Sequence, residues 1–75
     1  MPRSLHSDRY KRLCEILAKA RKSKGLTQAD VADRLGKPQS YVSKYESGER
    51  RLDVVEFIDI AEAIGIRPNS LIGKL

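Results

Sequence analysis

Residues 25–48 read GLTQADVADRLGKPQSYVSKYESG, and the architecture follows from their spacing. Thr27 followed by Asp30 has the form of a capping box, with a carboxylate shorter than the usual glutamate. Val31, Ala32 and Leu35 then recur at helical spacing and give a short helix one buried stripe. Gly36 stands where a helix closes on a left-handed residue. Pro38 falls near the first turn of the next helix, where its missing N–H costs nothing. Val42 and Tyr45 face inward on that helix, and Gly48 ends it. The connection Leu35-Gly36-Lys37-Pro38 is too short for a relaxed antiparallel pair. A tight turn through a glycine instead crosses the two helices steeply, which is helix-turn-helix geometry.

The flanking sequence is helical as well. From Asp8 to Ser23 the apolar positions Tyr10, Leu13, Cys14, Leu17 and Ala18 fall at a helical period, with Ser7 or Asp8 available as a cap and Gly25 as the break. The other side of this helix carries Arg9, Lys11, Arg12, Glu15, Lys19 and Lys22 and is read as solvated. Glu49-Arg50-Arg51 is a polar loop. Asp53 with Glu56 forms a second capping-box pattern, opening a helix that Gly65 closes. Val54, Phe57, Ile60, Ala61 and Ile64 give it a core stripe, and Val55 and Ile58 lie off that stripe. Pro68 starts a last short helix through Leu71 and Ile72. No strand-like alternation or repeat interrupts the pattern. The expected fold is all-α, a single five-helix domain over residues 8–75 preceded by a flexible tail over residues 1–7.

Composition sets limits on function. A chain of 75 residues buries only about 60% of the surface exposed by its unfolded form, which leaves no room for a deep substrate cavity. It is 40% hydrophobic and 33% charged, a globular rather than a disordered balance. Fifteen Lys and Arg against ten Asp and Glu leave a net charge of +5, which favours polyanionic partners. Cys14 is the only cysteine, so a disulfide within the chain and a cysteine zinc cage are both excluded. Its place on the apolar side of a helix reads as core. His6 is also alone, and no nucleophile is paired with a base, so no catalytic residue, metal site or cofactor is expected. No apolar run approaches the roughly 20 residues of a membrane span, and the N-terminus has no signal-peptide stretch. The expected location is the cytoplasm, on the nucleoid when DNA is bound.

The run Gly25-Leu26-Thr27-Gln28-Ala29-Asp30-Val31-Ala32, then Leu35-Gly36, then Gln39-Ser40-Tyr41-Val42-Ser43-Lys44-Tyr45-Glu46-Ser47-Gly48 resembles the helix-turn-helix of Cro and the phage repressors, the XRE-type regulators. The resemblance extends from Arg21 to Ile64-Gly65. It implies a lambda-repressor-like domain whose third helix lies in the major groove of double-stranded DNA. Gln39, Ser40, Ser43 and Lys44 occupy the exposed stripe of that helix and are the candidate base contacts. A glutamine pairs with adenine, a lysine donates to guanine and a serine reads either. Thr27 and Gln28 stand at a helix N-terminus, where open amides favour a phosphate, and the family implies that Gln28 also braces Gln39. Ser47, Arg50 and Arg51 are further candidate phosphate contacts. Tyr41 either packs against the sugar-phosphate or shields the turn. Arg21 and Glu46 resemble an internal ion pair of the family. The family's usual hydroxyl residue before Gln39 is replaced by Pro38, which allows the helix start to shift by one residue.

A single domain of this kind touches few base pairs, so a homodimer is expected. Val55, Ile58, Ile66, Ile72 and Leu75 are the candidate interface, with Leu71 extending the patch. No small-molecule ligand is evident. The resemblance leaves open a small repressor, a restriction-modification controller or an antitoxin-like regulator, although the short tails offer little surface for a toxin. A competing reading is a protein-interaction module that kept the fold without operator binding. The polar third helix argues against it.

Overall fold

Amide groups at a helix start have no partner within the helix, so the residues able to satisfy them fix where each element begins. The computed structural model describes residues 7–75. It contains five helices in order: α1 Asp8–Ser23, α2 Gln28–Leu35, α3 Gln39–Ser47, α4 Val54–Ile64 and α5 Pro68–Ile72. The Tyr10 amide donates to the Ser7 hydroxyl at 3.2 Å. Ser7 thus belongs to the helix start, and the rest of the expected tail, His6 included, lies outside the described residues. Both capping boxes close. The Asp30 amide donates to Thr27 Oγ1 at 3.0 Å and the Thr27 amide to Asp30 Oδ2 at 2.8 Å. The Glu56 amide donates to Asp53 Oδ1 at 2.7 Å and the Asp53 amide to Glu56 Oε1 at 2.9 Å.

The turn between α2 and α3 is equally local. Gly36 adopts φ +67°, a left-handed conformation that costs other residues. From there the Lys37 amide reaches back to the Ala32 carbonyl at 2.9 Å and the Gly36 amide to Asp33 at 3.1 Å. Pro38 does not enter the first helical turn. It is the N-cap residue, extended at ψ 156°, and α3 begins at Gln39 without a side-chain cap.

The core forms where the inner faces of the helices meet. Leu17 of α1, Val31 of α2, Val42 and Tyr45 of α3, and Ile60 and Ala61 of α4 are each fully enclosed. Truncating one of the larger of these side chains to alanine typically costs about 2–5 kcal/mol. Arg34 adds a polar tie from α2 to the last turn of α4, donating to the Ala63 carbonyl at 2.8 Å. At the other end of the domain the Tyr10 hydroxyl donates to the Arg50 carbonyl at 2.7 Å, and the Arg51 guanidinium lies over the Tyr10 ring at 4.5 Å. The loop after α3 is thereby anchored on α1. Among the described residues no helix is long and apolar enough to cross a membrane.

Three expectations change. Val54, placed in the core stripe, is 72% exposed. At about 100° per residue it lies on the Ile58 side of the stripe made by Phe57, Ile60, Ala61 and Ile64. Leu71, expected to extend an exposed patch, lies on the inner face of α5, where it is buried in the core. Ile66, a candidate interface residue, is half-buried against the core. Its amide bonds to the Ala61 carbonyl at 3.0 Å as the chain folds back after Gly65, a helix ending that brings the following apolar residue onto the last turn.

Backbone hydrogen bonds within the two capping boxes hold the Asp30 and Glu56 carboxyls below their ordinary range. The donor is Thr27 for Asp30 and Asp53 for Glu56, with Arg50 adding to the effect at Glu56. Unfolded Asp and Glu titrate near about 3.9 and 4.3. Because the folded values lie lower, the stabilisation is complete above that range and is lost as pH falls through the folded values. Thermal melts should therefore hold a constant midpoint from pH 7 to about 5 and fall steeply below about 4. Asp30→Asn combined with Glu56→Gln should lower the midpoint at pH 7 and flatten the acid limb. An acid limb of unchanged slope in that variant would refute the assignment.

Candidate nucleic-acid interface

The candidate surface is built on a buried charge. Arg21 of α1 is 7% exposed, and such a group must find acceptors inside the protein. Its Nε donates to Glu46 Oε2 at 2.7 Å, its Nη2 to Glu46 Oε1 at 3.1 Å and its Nη1 to the Leu26 carbonyl at 2.8 Å. The two-pronged hydrogen bond with Glu46 raises the Arg21 pKa further above its already high value, against the opposing effect of burial. The pair ties α1 to the last turn of α3 and to the connection leading into α2.

From Glu46 the network runs outward to the surface. Gln28, the first residue of α2, donates from Nε2 to Glu46 Oε1 at 3.0 Å. This leaves its carbonyl oxygen facing Gln39, whose Nε2 lies 3.5 Å away. That last contact is long for a hydrogen bond. It sets the two glutamine side chains next to each other at the meeting of the α2 and α3 starts.

Gln39, Ser40, Ser43 and Lys44 are all exposed on α3, opposite the buried Val42 and Tyr45. Among the described residues, Ser40, Ser43 and Lys44 spend no side-chain hydrogen bond within the protein. Thr27 is exposed at the start of α2, its hydroxyl already accepting from Asp30. The candidate base contacts thus form one open polar stripe, and Thr27 and Gln28 lie beside it.

The remaining candidate phosphate contacts are less free than their sequence positions suggest. Ser47 donates to the Lys44 carbonyl at 3.0 Å and lies 3.1 Å from Glu49 Oε2. Arg50 forms a two-pronged ion pair with Glu56, at 3.0 and 3.3 Å. Its guanidinium also lies over the Tyr41 ring at 4.7 Å. Arg51 stacks on Tyr10, which leaves its guanidinium at the surface but not loose. Tyr41 is half-buried, packs edge-on against Tyr45 at 5.7 Å and carries Lys37 as well as Arg50 over its ring. Burial pushes its phenol above the ordinary value, and the nearby Glu56 carboxylate adds to the rise. Sequence reading missed Lys37, an exposed cation of the turn 5.4 Å from the Tyr41 ring centre. Its position immediately before Pro38 was the available signal. Among the described residues no group of acidic, histidine or cysteine side chains is arranged to hold a metal.

A family model described as Helix-turn-helix matches residues 17–71. A curated HTH-type transcriptional regulator of Sinorhizobium fredii, y4dJ, is 41% identical over 49 residues, 65% of this chain and 64% of that protein. The cryptic phage CTXphi transcriptional repressor RstR of Vibrio cholerae is 38% identical over 60 residues, 80% of this chain and 54% of its own length. The chain thus spans less than two thirds of these relatives. Among solved structures, an XRE-family like protein from Pseudomonas syringae pv. tomato superposes with a TM-score of 0.87 at 51% identity, covering 92% of this chain and 84% of that one. The restriction-modification controller protein C.AhdI of Aeromonas hydrophila gives 0.79 at 31% identity, covering 87% and 98%. The chain belongs to the XRE-type helix-turn-helix family of transcriptional regulators, a class of binding proteins rather than enzymes.

Removing one partner of a buried ion pair strands the other, at a cost of about 3–5 kcal/mol. Arg21→Ala should therefore lower the thermal midpoint by on the order of 12–40 °C, at about 4–8 °C per kcal/mol in a domain of this size. Calorimetry gives the answer, and a midpoint equal to that of the unaltered protein would show that the pair contributes nothing.

Proposed function

We propose that this chain is a sequence-specific regulator of transcription that binds double-stranded DNA as a homodimer and reads an inverted-repeat operator through the major groove. The observation that carries the reading is the open stripe of Gln39, Ser40, Ser43 and Lys44 on α3, held in place from behind by Arg21, Glu46 and Gln28. Gln39 suits adenine, Lys44 suits guanine, and Ser40 and Ser43 supply shorter donors and acceptors. Thr27, Gln28 and Lys37 border the stripe and face the phosphates. Arg51, Ser47 and Tyr41 extend that border. Arg50 joins it only by exchanging Glu56 for a phosphate. Such contacts give affinity and register, while base contacts give specificity.

Dimerisation is supported by an apolar strip on the remaining side of the domain. Val54, Val55, Ile58, Ile72 and Leu75 are the exposed large hydrophobics among the described residues. Val54, Ile72 and Leu75 border a shallow groove of about 220 Å³ floored by Leu13, Leu52 and Phe57. Contiguous apolar surface on a small domain marks an interface. Ile66, half-buried, contributes only at its edge. The relatives favour a controller or small repressor among the subtypes.

Selection from a randomised duplex library at physiological salt tests both halves of this reading. The unaltered protein should enrich an inverted repeat with half-site centres about 10 base pairs apart. Gln39→Ala and Lys44→Ala should each relax the sequence at particular positions, by about 1–3 kcal/mol per lost base contact. Ile58→Asp should remove the preference for paired half-sites while leaving the half-site sequence unchanged. Enrichment of no sequence, with binding that disappears as salt rises, would contradict the reading.

A further inference from the structure

The positive charge of this chain is divided between two faces, and only one of them belongs to the recognition helix. On α1 the side chains of Tyr10, Cys14, Leu17, Ala20 and Arg21 point inward, and Arg21 meets α3. Arg12, Lys19 and Lys22 emerge on the other side of α1, away from that junction. They border a broad depression of about 720 Å³ together with Lys74, Glu15 and Ile16. Among the described residues none of these four cations takes part in an ion pair. Glu15 is the only carboxylate lining the depression.

Next to the depression, and sharing Ile16, Lys19 and Lys74 with it, a smaller cleft of about 180 Å³ opens between α1 and the segment after α4, where Ala20 and Ile66 complete an apolar floor. It is smaller than the roughly 300–1,000 Å³ of small-molecule sites and suits a single apolar side chain. Unpaired cations around an apolar cleft present two chemistries at once. A duplex satisfies the cations, but it has no group for the cleft. A peptide with acidic residues around one aliphatic side chain satisfies both.

We infer that the outer face of α1 docks an acidic segment of a partner protein, with one aliphatic side chain of that segment seated between Ile16, Ala20 and Ile66 and its carboxylates on Arg12, Lys19, Lys22 and Lys74. This face points away from α3, so the partner and DNA bind together rather than in competition. The inference does not depend on operator binding, because the surface shares no residue with the α3 stripe.

The test uses the full chain and a fluorescein-labelled dodecapeptide of glutamates and serines with a central leucine, followed by fluorescence anisotropy at low salt. The leucine peptide should bind, and its leucine-to-serine counterpart should bind about tenfold more weakly, the equivalent of about 1.4 kcal/mol. Lys19→Glu combined with Lys74→Glu, both exposed positions, should weaken the leucine peptide by at least about tenfold. The thermal midpoint of that variant should be unchanged, which separates lost docking from lost folding. A 20-base-pair duplex of arbitrary sequence, added in excess, should leave the peptide bound. Equal affinity of the two peptides would reduce the face to a non-specific polycation and overturn the inference. Displacement by the duplex would do the same, placing nucleic acid or the α3 surface at the peptide site. So would undiminished binding to the doubly reversed variant.

Discussion

A guanidinium enclosed by a core has to be met by acceptors from the protein, and Arg21 is the charged residue in that position among those described. Its acceptors come from two places that a helix-turn-helix must keep in register: Glu46 at the end of α3 and the Leu26 carbonyl before α2. Glu46 then holds Gln28, and Gln28 lies beside Gln39. One buried ion pair therefore sets the angle of α3 against α1 and aligns the two helix starts that flank the turn. Apolar residues of similar volume often replace such pairs without loss of stability. The distinctive contribution of this pair is positional, because an apolar contact tolerates sliding and rotation whereas a two-pronged guanidinium–carboxylate contact fixes direction.

Much of this was legible in the sequence where the physics is local. Thr27 with Asp30, Asp53 with Glu56, and Gly36 each act within one helical turn, and the structure places helix boundaries beside all of them. Val42 and Tyr45 were readable because α3 has only one face toward the core. Val54 was not, because a residue in the first turn of α4 can fit an apolar stripe by spacing and still lie past the edge of the surface that packs on it. Ile66 depended on how the chain folds back after Gly65, and Leu71 on where α5 lands. Both are settled by packing between distant segments. The candidate DNA face shows the same division. The exposed stripe of α3 follows from periodicity, whereas the ties of Arg50 to Glu56 and Tyr41 and of Arg51 to Tyr10 follow from the path of one loop.

The net charge of +5 is accordingly a poor guide to the field at α3. Arg50 is partly neutralised by Glu56, Arg51 is held over Tyr10 and Arg21 is internal, so the exposed cations at the candidate surface are chiefly Lys37 and Lys44. A comparable group of cations, Arg12, Lys19, Lys22 and Lys74, lies on the outer face of α1, away from the α3 stripe. For the proposed operator reader, a moderate field at α3 would leave more of the discrimination to base contacts, since phosphate attraction is indifferent to sequence.

Titration of nitrogen-15-labelled protein with its selected duplex, followed by amide and side-chain NMR signals, examines this account at its foundation. The largest changes should fall on Gln39, Ser40, Ser43 and Lys44, with smaller ones at Thr27, Gln28 and Lys37. The Arg21 guanidinium signals should stay in place because the pair with Glu46 is already formed, and Arg12, Lys19 and Lys22 should remain unaffected. Changes centred on the outer face of α1, or an Arg21 signal that moves as the duplex binds, would mean that the ion pair does not set the reading surface in advance.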